Sequence, residues 1–447
     1  MSTVVAFALF LAAMLFSVVQ GISALPALLF GVAIFWLLGL RRGYTPSQMW
    51  EMMRHEGAKL IPVLGVFLVI GAITGLWRCS GTITFFIYYG IRIITPKLFV
   101  LVAFLLTSLL SYALGTSFGV TGTAGIILIA LARSGDVSVP VTAGAILAGA
   151  YFGDRCSPAS SSAALVAALT GTEQRVNMRN MFKTGWLPMV LSVAIYAVLS
   201  VRNPIQNVDE ALLDTLSANY SISWWTVLPA VLMLVLPLFH LSIRATLAAG
   251  SVAAFLVAIF VQHMGLWETL QATFVGYRPE AEELTKILAG GGVISMVKSS
   301  VLVMVTGLYA GLLAGIGALD GVRSWVEKCS ERCGLFPTAV VTCVVAGMVL
   351  CNQSIVVMMG EPLLRDAYEK KGASKEELAV DLENSGIVLA AMIPWNIAGS
   401  IPLHMLGADT RAIPYMVLLY MIPLCHWLTK RWFLVEVRKR RKKEQSK

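Results

Sequence analysis

Apolar runs recur along the whole chain, at Val4–Val19, Leu25–Leu40, Leu60–Trp77, Leu98–Leu114, Val139–Phe152, Leu187–Val201, Trp224–Phe239, Ala245–Val261, Val293–Ala318, Pro337–Leu350, Ile387–Ile401 and Ile413–Leu428. A straight membrane-spanning helix needs about 20 apolar residues. Several of these runs are shorter, which predicts broken or re-entrant segments beside full spans. The pattern therefore predicts an all-α polytopic membrane protein with about 10–13 membrane segments, some of them broken hairpins. The sharpest interruption lies between Gly149 and Thr172, GAYFGDRCSPASSSAALVAALTGT, where a carboxylate and a serine-rich turn sit inside apolar sequence. A charge in the hydrocarbon region costs several kcal/mol, about 2.5 to 3.5 on insertion scales, so an acid kept there usually serves an ion, a proton or a substrate.

Composition agrees with the pattern. Of 447 residues 57% are apolar and 13% charged, with a mean hydropathy of +0.77, whereas about a quarter of a soluble domain is charged. The net charge of +9 is not a nucleic-acid signal, because it concentrates in Lys430–Lys447, which holds nine Lys or Arg and two Glu. Such a tail beside a last apolar run reads as a cytoplasmic topology anchor attracted to anionic lipid. The loop Arg41–Lys59 and the stretch Arg175–Lys183 are basic and expected in the cytoplasm; the acid-rich loops Asn203–Ser223 and His263–Ala289 are expected outside. Seven scattered cysteines form no zinc or disulfide framework, and Cys329 with Cys333, four apart, reads as packing. Val4–Val19 has no Lys or Arg before it and no small-residue cleavage site after it, so it is expected to be a first span and not a leader.

The two halves repeat one order of elements. Each opens with two apolar runs and an amphipathic stretch, SQMWEMMRHEG or LWETLQATFVGY. Next come Gly75-LWRCS-Gly81 and Gly315-IGALD-Gly321, 240 positions apart (315 − 75 and 321 − 81). Each half then has an apolar run ending in a polar triplet, Gly115-Thr116-Ser117 or Asn352-Gln353-Ser354, and closes on a segment broken at Gly153-Asp154 or Pro394-Trp395-Asn396. The first amphipathic loop reads as cytoplasmic and the second as external, which predicts inverted repeats, a mark of secondary transporters with a site near the bilayer midplane. The expected division is residues 1–201 for the first repeat, 202–223 for an external linker, 224–430 for the inverted second repeat and 431–447 for the tail.

Broken segments expose backbone carbonyls, and carbonyls coordinate cations. With the hydroxyls of Thr116, Ser117, Thr121, Ser157, Ser160, Ser161 and Ser162 and the amides of Asn352, Gln353 and Asn396 they form an oxygen-rich set suited to sodium. Half-helix N-termini would equally hold a substrate carboxylate. Of the 25 acids, Asp154 alone is read as lying well inside an apolar stretch, as the group that takes up sodium transiently; its neighbour Arg155 could neutralise it. Glu361 and Asp320 fall at the ends of runs, and His404 is a plausible proton carrier.

The motifs Gly115-Thr116-Ser117-Phe118-Gly119-Val120-Thr121-Gly122-Thr123-Ala124-Gly125, Gly149-Ala150-Tyr151-Phe152-Gly153-Asp154-Arg155-Cys156-Ser157-Pro158 and Leu382-Glu383-Asn384-Ser385-Gly386, followed by Ile393-Pro394-Trp395-Asn396, resemble the NhaC family of sodium/proton antiporters from about Glu56 to the last span. Relatives there exchange sodium for protons or malate for lactate, or carry amino acids. The resemblance implies a two-repeat fold with re-entrant hairpins and a site built from Gly115–Ser117, Asp154–Ser160, Asn352–Ser354, Asn384-Ser385 and Trp395-Asn396. The chain departs from the family's GDK-x-SP-x-SDTTN pattern, with Ser161 at the second acid's place and Ala164 at the amide's; PWNTCG has become Pro394-Trp395-Asn396-Ile397-Ala398-Gly399. The expected function is sodium/proton antiport, with coupled transport of a small organic anion or amino acid as the alternative. Both place the chain in the cytoplasmic membrane, with sodium, protons and lipid as partners, no cofactor, no nucleic acid, and a homodimer allowed. A passive channel fits the inverted repeat poorly, and no His or Cys constellation near the bilayer faces points to an enzyme.

Overall fold

A computed structural model describes residues 2–93, 96–205, 210–239, 241, 243–318 and 322–430. Within them the regular structure is helical, apart from one antiparallel bridge between Tyr277 and Gly290. The first half runs α1 (Thr3–Val19), α2 (Leu25–Arg41), α3 (Pro46–Ala58), α4 (Ile61–Cys79), α5 (Thr82–Ile93), α6 (Phe99–Leu114), α7 (Ser117–Ser134), α8 (Val139–Cys156), α9 (Ser161–Thr170) and α10 (Gln174–Arg202). The second runs α11 (Glu210–Asn219), α12 (Leu228–Val235), α13 (Ile243–Phe260), α14 (Leu266–Phe274), α15 (Glu282–Leu288), α16 (Val293–Gly315), α17 (Val322–Cys333), α18 (Leu335–Leu350), α19 (Gln353–Lys370), α20 (Lys375–Leu382), α21 (Ile397–Met405) and α22 (417–430). A π-turn, Glu383–Ile387, and Val388–Ala390 carry α20 onward; another π-turn, Thr121–Gly125, lies inside α7.

Three helices are long and apolar enough to cross a membrane, Ser117–Ser134, Gln174–Arg202 and Val293–Gly315, among the described residues. The pair α4 and α5, bent by 61°, makes a fourth if it counts as one span, and six further apolar helices have 10–17 residues. The short runs thus fold as helices interrupted by turns. The bend holds Gly81 at φ +75°, a left-handed conformation that costs glycine little. The two amphipathic stretches fold as α3 and α14. In α3 a capping box between Thr45 and Gln48 starts the helix, and Met49, Met53 and Gly57, spaced by four, make its buried face.

The halves share one register of helix ends. Helices α6 and α18 cover 99–114 and 335–350; Gly115 and Cys351 then turn left-handed, at φ +68° and +55°. Thr116 and Asn352 cap the next helices, and Ser160 and Asn396 cap α9 and α21. Each pair is 236 positions apart (352 − 116). Gly81 has its counterpart in Gly317, at φ +65°, at that same interval and not at the 240 positions expected from the glycine spacing. The reason is that the turn follows the helix ends, Cys79 and Gly315, which keep the shorter interval. Gly321, Asp320, Asp209 and the tail 431–447 lie outside the described residues. The expected linker 202–223 contains α11.

Among the described residues two large apolar cores form, one around α4 to α8 and one around α1 to α3, α16, α18 and α19, with a small third cluster of Cys156, Ala163 and Met181. In the first, α6 lies directly on α8. A Cβ on Gly149 would come 2.1 Å from Thr107 Oγ1, and one on Gly153 would come 2.0 Å from the Ser111 carbonyl carbon. Small residues let helices approach this closely in a membrane, where dispersion and hydrogen bonds replace the hydrophobic drive.

Candidate functional site

The site lies where the breaks of both halves meet. Gly115 reaches the α8–α9 turn so closely that a Cβ would fall 2.4 Å from the Ala159 carbonyl carbon. Cys351, between α18 and α19, accepts the Ile397 amide at 3.0 Å and so ties that break to the start of α21.

Asp154 occupies the last turn of α8 and is 4% exposed. Its Oδ2 accepts from Ser117 Oγ on α7 at 3.4 Å and from Gln353 Nε2 on α19 at 3.3 Å; its Oδ1 accepts from Ser162 Oγ on α9 at 3.2 Å. The carboxylate has no ion pair among the described residues. The hydroxyl contacts are long beside the usual spacing of about 2.7–2.8 Å, so they hold the group weakly. Ser160 Oγ donates to the Asp154 carbonyl, which fixes the backbone behind it.

Arg155 does not neutralise its neighbour. It turns to the other side of α8, where Nε and Nη2 donate to Asn384 Oδ1 at 3.0 and 2.6 Å, and Nη2 also to Thr184 Oγ1 at 3.0 Å and the Met181 carbonyl at 3.1 Å. At 1% exposure it joins α8, α10 and α20. Adjacent helical side chains diverge by about 100°, which is why the pair separates.

The remaining residues of the expected set divide by role. Ser117 and Gln353 converge on Asp154, and Gln353 also donates to the Ile387 carbonyl at 3.0 Å. Thr116, Ser160, Asn352 and Asn396 cap helices; Asn396 Nδ2 also donates to the Gly347 carbonyl at 3.0 Å. Thr121 bonds the Ser117 carbonyl at 2.8 Å, Ser157 the Tyr112 carbonyl at 2.6 Å, Ser385 the Asp381 carbonyl at 2.6 Å, and Trp395 Nε1 the Met348 carbonyl at 2.7 Å. Ser161 is exposed, and its neighbour Ser162 reaches Asp154 instead, because the helix that Ser160 caps aims the second hydroxyl inward. Ser354 is exposed on the rim of a pocket.

Asp154 is not the only acid inside. Asp381, Glu383 and Glu361 are buried too. Glu361 pairs with Arg365 at 2.7 and 2.8 Å; Asp381 accepts from Tyr368 at 2.5 Å, His426 at 2.8 Å and Lys430. Glu383 is fully buried, and neither of its oxygens has a hydrogen-bond partner among the described residues. The apolar run expected from Ile387 onward leaves out helix α20, which brings in Asp381 and Glu383. The signal was the spacing of Leu378, Leu382 and Gly386, one helical face through the LENSG motif.

Two pockets approach the breaks. One, about 240 Å³, is lined by Glu56, Lys59, Phe67, Phe118, Gln353 and Ser354 among others. The other, about 290 Å³, includes Gly21, Lys298, Trp395 and His404, whose Nδ1 lies 3.3 Å from Ser299 Oγ.

The profile of the Na+/H+ antiporter family matches residues 1–198 and 152–428. The chain belongs to the Na+/H+ antiporter family. It is a secondary antiporter of the NhaC type and a multi-pass membrane protein, and not an enzyme. It is 27% identical to the malate-2H+/Na+-lactate antiporter of Bacillus subtilis over 391 residues, 86% of this chain and 84% of that one. Identity to the Na+/H+ antiporter NhaC of Alkalihalophilus pseudofirmus is 24% over 381 residues, 83% and 82% of the two chains. The arginine/ornithine antiporter ArcD of Halobacterium salinarum is 27% identical over 416 residues, 89% and 84%. Relatives matched over most of this chain are thus named for different solutes.

Proposed function

We propose that this antiporter exchanges sodium for protons at Asp154, between two inverted repeats, in the cytoplasmic membrane. The observation that carries the reading is a buried carboxylate held by three hydrogen bonds of 3.2–3.4 Å and, among the described residues, by no ion pair. An ionised carboxylate so buried is costly without a cation. A proton and a sodium ion each relieve that cost and exclude each other, so competition for one carboxylate couples their movements. Ser117 and Ser162 offer hydroxyl oxygens to the cation once their protons turn away.

The shared 236-residue register supports the repeats, and the basic loop before α4 against the acid-rich loop before α16 supports their opposite orientation. The two pockets fit alternating access. Ile397 and Ala398 border the Lys59 pocket, while Pro394, Trp395 and Ser400 border the His404 pocket, so the break before α21 and the first turn of that helix contribute to both linings.

A second reading, exchange of a small organic anion, is favoured by the Lys59 pocket, whose lining joins Asn352, Gln353 and the N-terminus of α19 to Lys59, a cation that pairs with Glu56 in this conformation. Proteoliposomes with an internal pH dye, challenged with sodium, lithium and potassium and then with lactate, malate, arginine and neutral amino acids, decide between them. Dye responses to sodium alone support the first reading; responses only with an organic solute select the second.

A further inference from the structure

We propose that Glu383 is a second proton-binding carboxyl of the transport site, with Arg155 as its counter-ion when it ionises. The inference rests on the antiport reading above and adds a group to it. Glu383 opens the π-turn of α20 and is fully buried, with both oxygens unpartnered among the described residues. A carboxylate stripped of water and given no donor is strongly unfavourable, so the neutral acid is the form this conformation accommodates. π-Turns are rare and recur at functional sites, and this one also sets Asn384, the next residue, on the Arg155 guanidinium.

The groups around Glu383 make the proton exchangeable. Helix α8 brings Arg155 and Asp154 within electrostatic reach, with Cys156 beside them. Helix α18 presents Cys343, which accepts from Ser385 at 3.5 Å. On α19, Glu361 is already bound to Arg365; α10 carries the exposed Arg179 and the half-buried Lys183, and α9 has no titratable side chain. Arg155 is the cation that electrostatics sets against Glu383. While it is bound by Asn384, Thr184 and Met181, Glu383 keeps its proton. If Arg155 leaves Asn384 for Glu383 in a conformation that admits water, the proton goes to that water, and the carboxylate left behind meets a guanidinium that already carries its charge. The site loses one positive charge, and Asp154, across α8, feels the change. The two carboxyls then titrate as a coupled pair.

Two measurements on the full chain test this. In infrared spectra of the purified protein, wild type should show the carbonyl stretch of a protonated buried carboxyl that disappears in Glu383→Gln, whatever the protein transports. In proteoliposomes, the pH gradient that just halts sodium-driven exchange should show one proton fewer per cycle in Glu383→Gln, with a flatter pH profile. Should Glu383→Gln not purify, Glu383→Asp keeps the proton and should move the stretch to a new position. Spectra identical in wild type and variant, or a lost stretch with unchanged proton count and pH profile, overturn the proposal. If wild type moves neither cation nor solute, the antiport reading at Asp154 falls, while the infrared result still decides whether Glu383 holds a proton.

Discussion

Asp154 and Arg155 are neighbours that serve opposite sides of α8, and their substitutions should separate cleanly. Asp154→Asn keeps the size and the three hydrogen-bonding neighbours, so the protein should assemble normally and lose coupled transport in the dye assay. Asn384→Ala leaves Arg155 without its shortest acceptor, a 2.6 Å contact. An unpaired buried polar group costs about 1 to 3 kcal/mol, more when charged, so the detergent-purified variant should melt earlier as well as transport less. The two serines of α9 give the finest contrast. Ser162→Asp would set a second carboxylate against Asp154 Oδ1, and two close acids do not both ionise without a cation between them. Its sodium-driven exchange should therefore shift to a more alkaline optimum with steeper sodium dependence, whereas Ser161→Asp should match wild type across a pH series.

At the level of elements, function depends on how closely broken helices approach. Gly153→Ala puts a methyl group 2.0 Å from the backbone of Ser111, where no flexible side chain can give way. Helices α6 and α8 must then separate, and Asp154 moves with α8. The variant should insert in the membrane yet lose nearly all transport, measured per molecule after quantifying folded protein. The caps act more locally. Asn396→Ala removes the acceptor for the Ala398 amide and the donor to the Gly347 carbonyl. Loss of a cap costs about 0.5 to 2 kcal/mol, and here it loosens a segment that contributes to the linings of both pockets. Thermal stability should fall modestly and transport more steeply, with Asn396→Asp, which keeps the acceptor, partly restoring stability.

Across the whole molecule, the two parts of the basic end of the chain are expected to act separately. Lys430, at the close of α22, forms ion pairs with Glu377 at 3.0 Å and with Asp381, joining the last helix to the base of α20. Lys430→Ala leaves buried Glu377 without its cation and Asp381 with only Tyr368 and His426, and breaking such a pair costs about 3 to 5 kcal/mol; the expected outcome is low yield and early melting. Removing Arg438–Lys447 leaves that contact intact and should lower membrane yield or disturb orientation, while turnover per correctly inserted molecule in liposomes stays near wild type.

The sequence by itself determined the class, the broken helices and the place of Asp154 inside an apolar stretch, because hydropathy and local breakers act over one or two helical turns and are read directly along the chain. The recurrence of helix breaks that it suggested is found at 236 positions and not 240, because the turns follow the ends of α4 and α16. Only the tertiary structure decided which hydroxyls meet Asp154, since a single residue of helical phase separates Ser161 from Ser162. It decided that Arg155 belongs to Asn384, 229 positions away, and that Glu383 is buried beside them. Direction around a helix and contact between distant segments are set by packing of whole helices, and no local pattern carries that information.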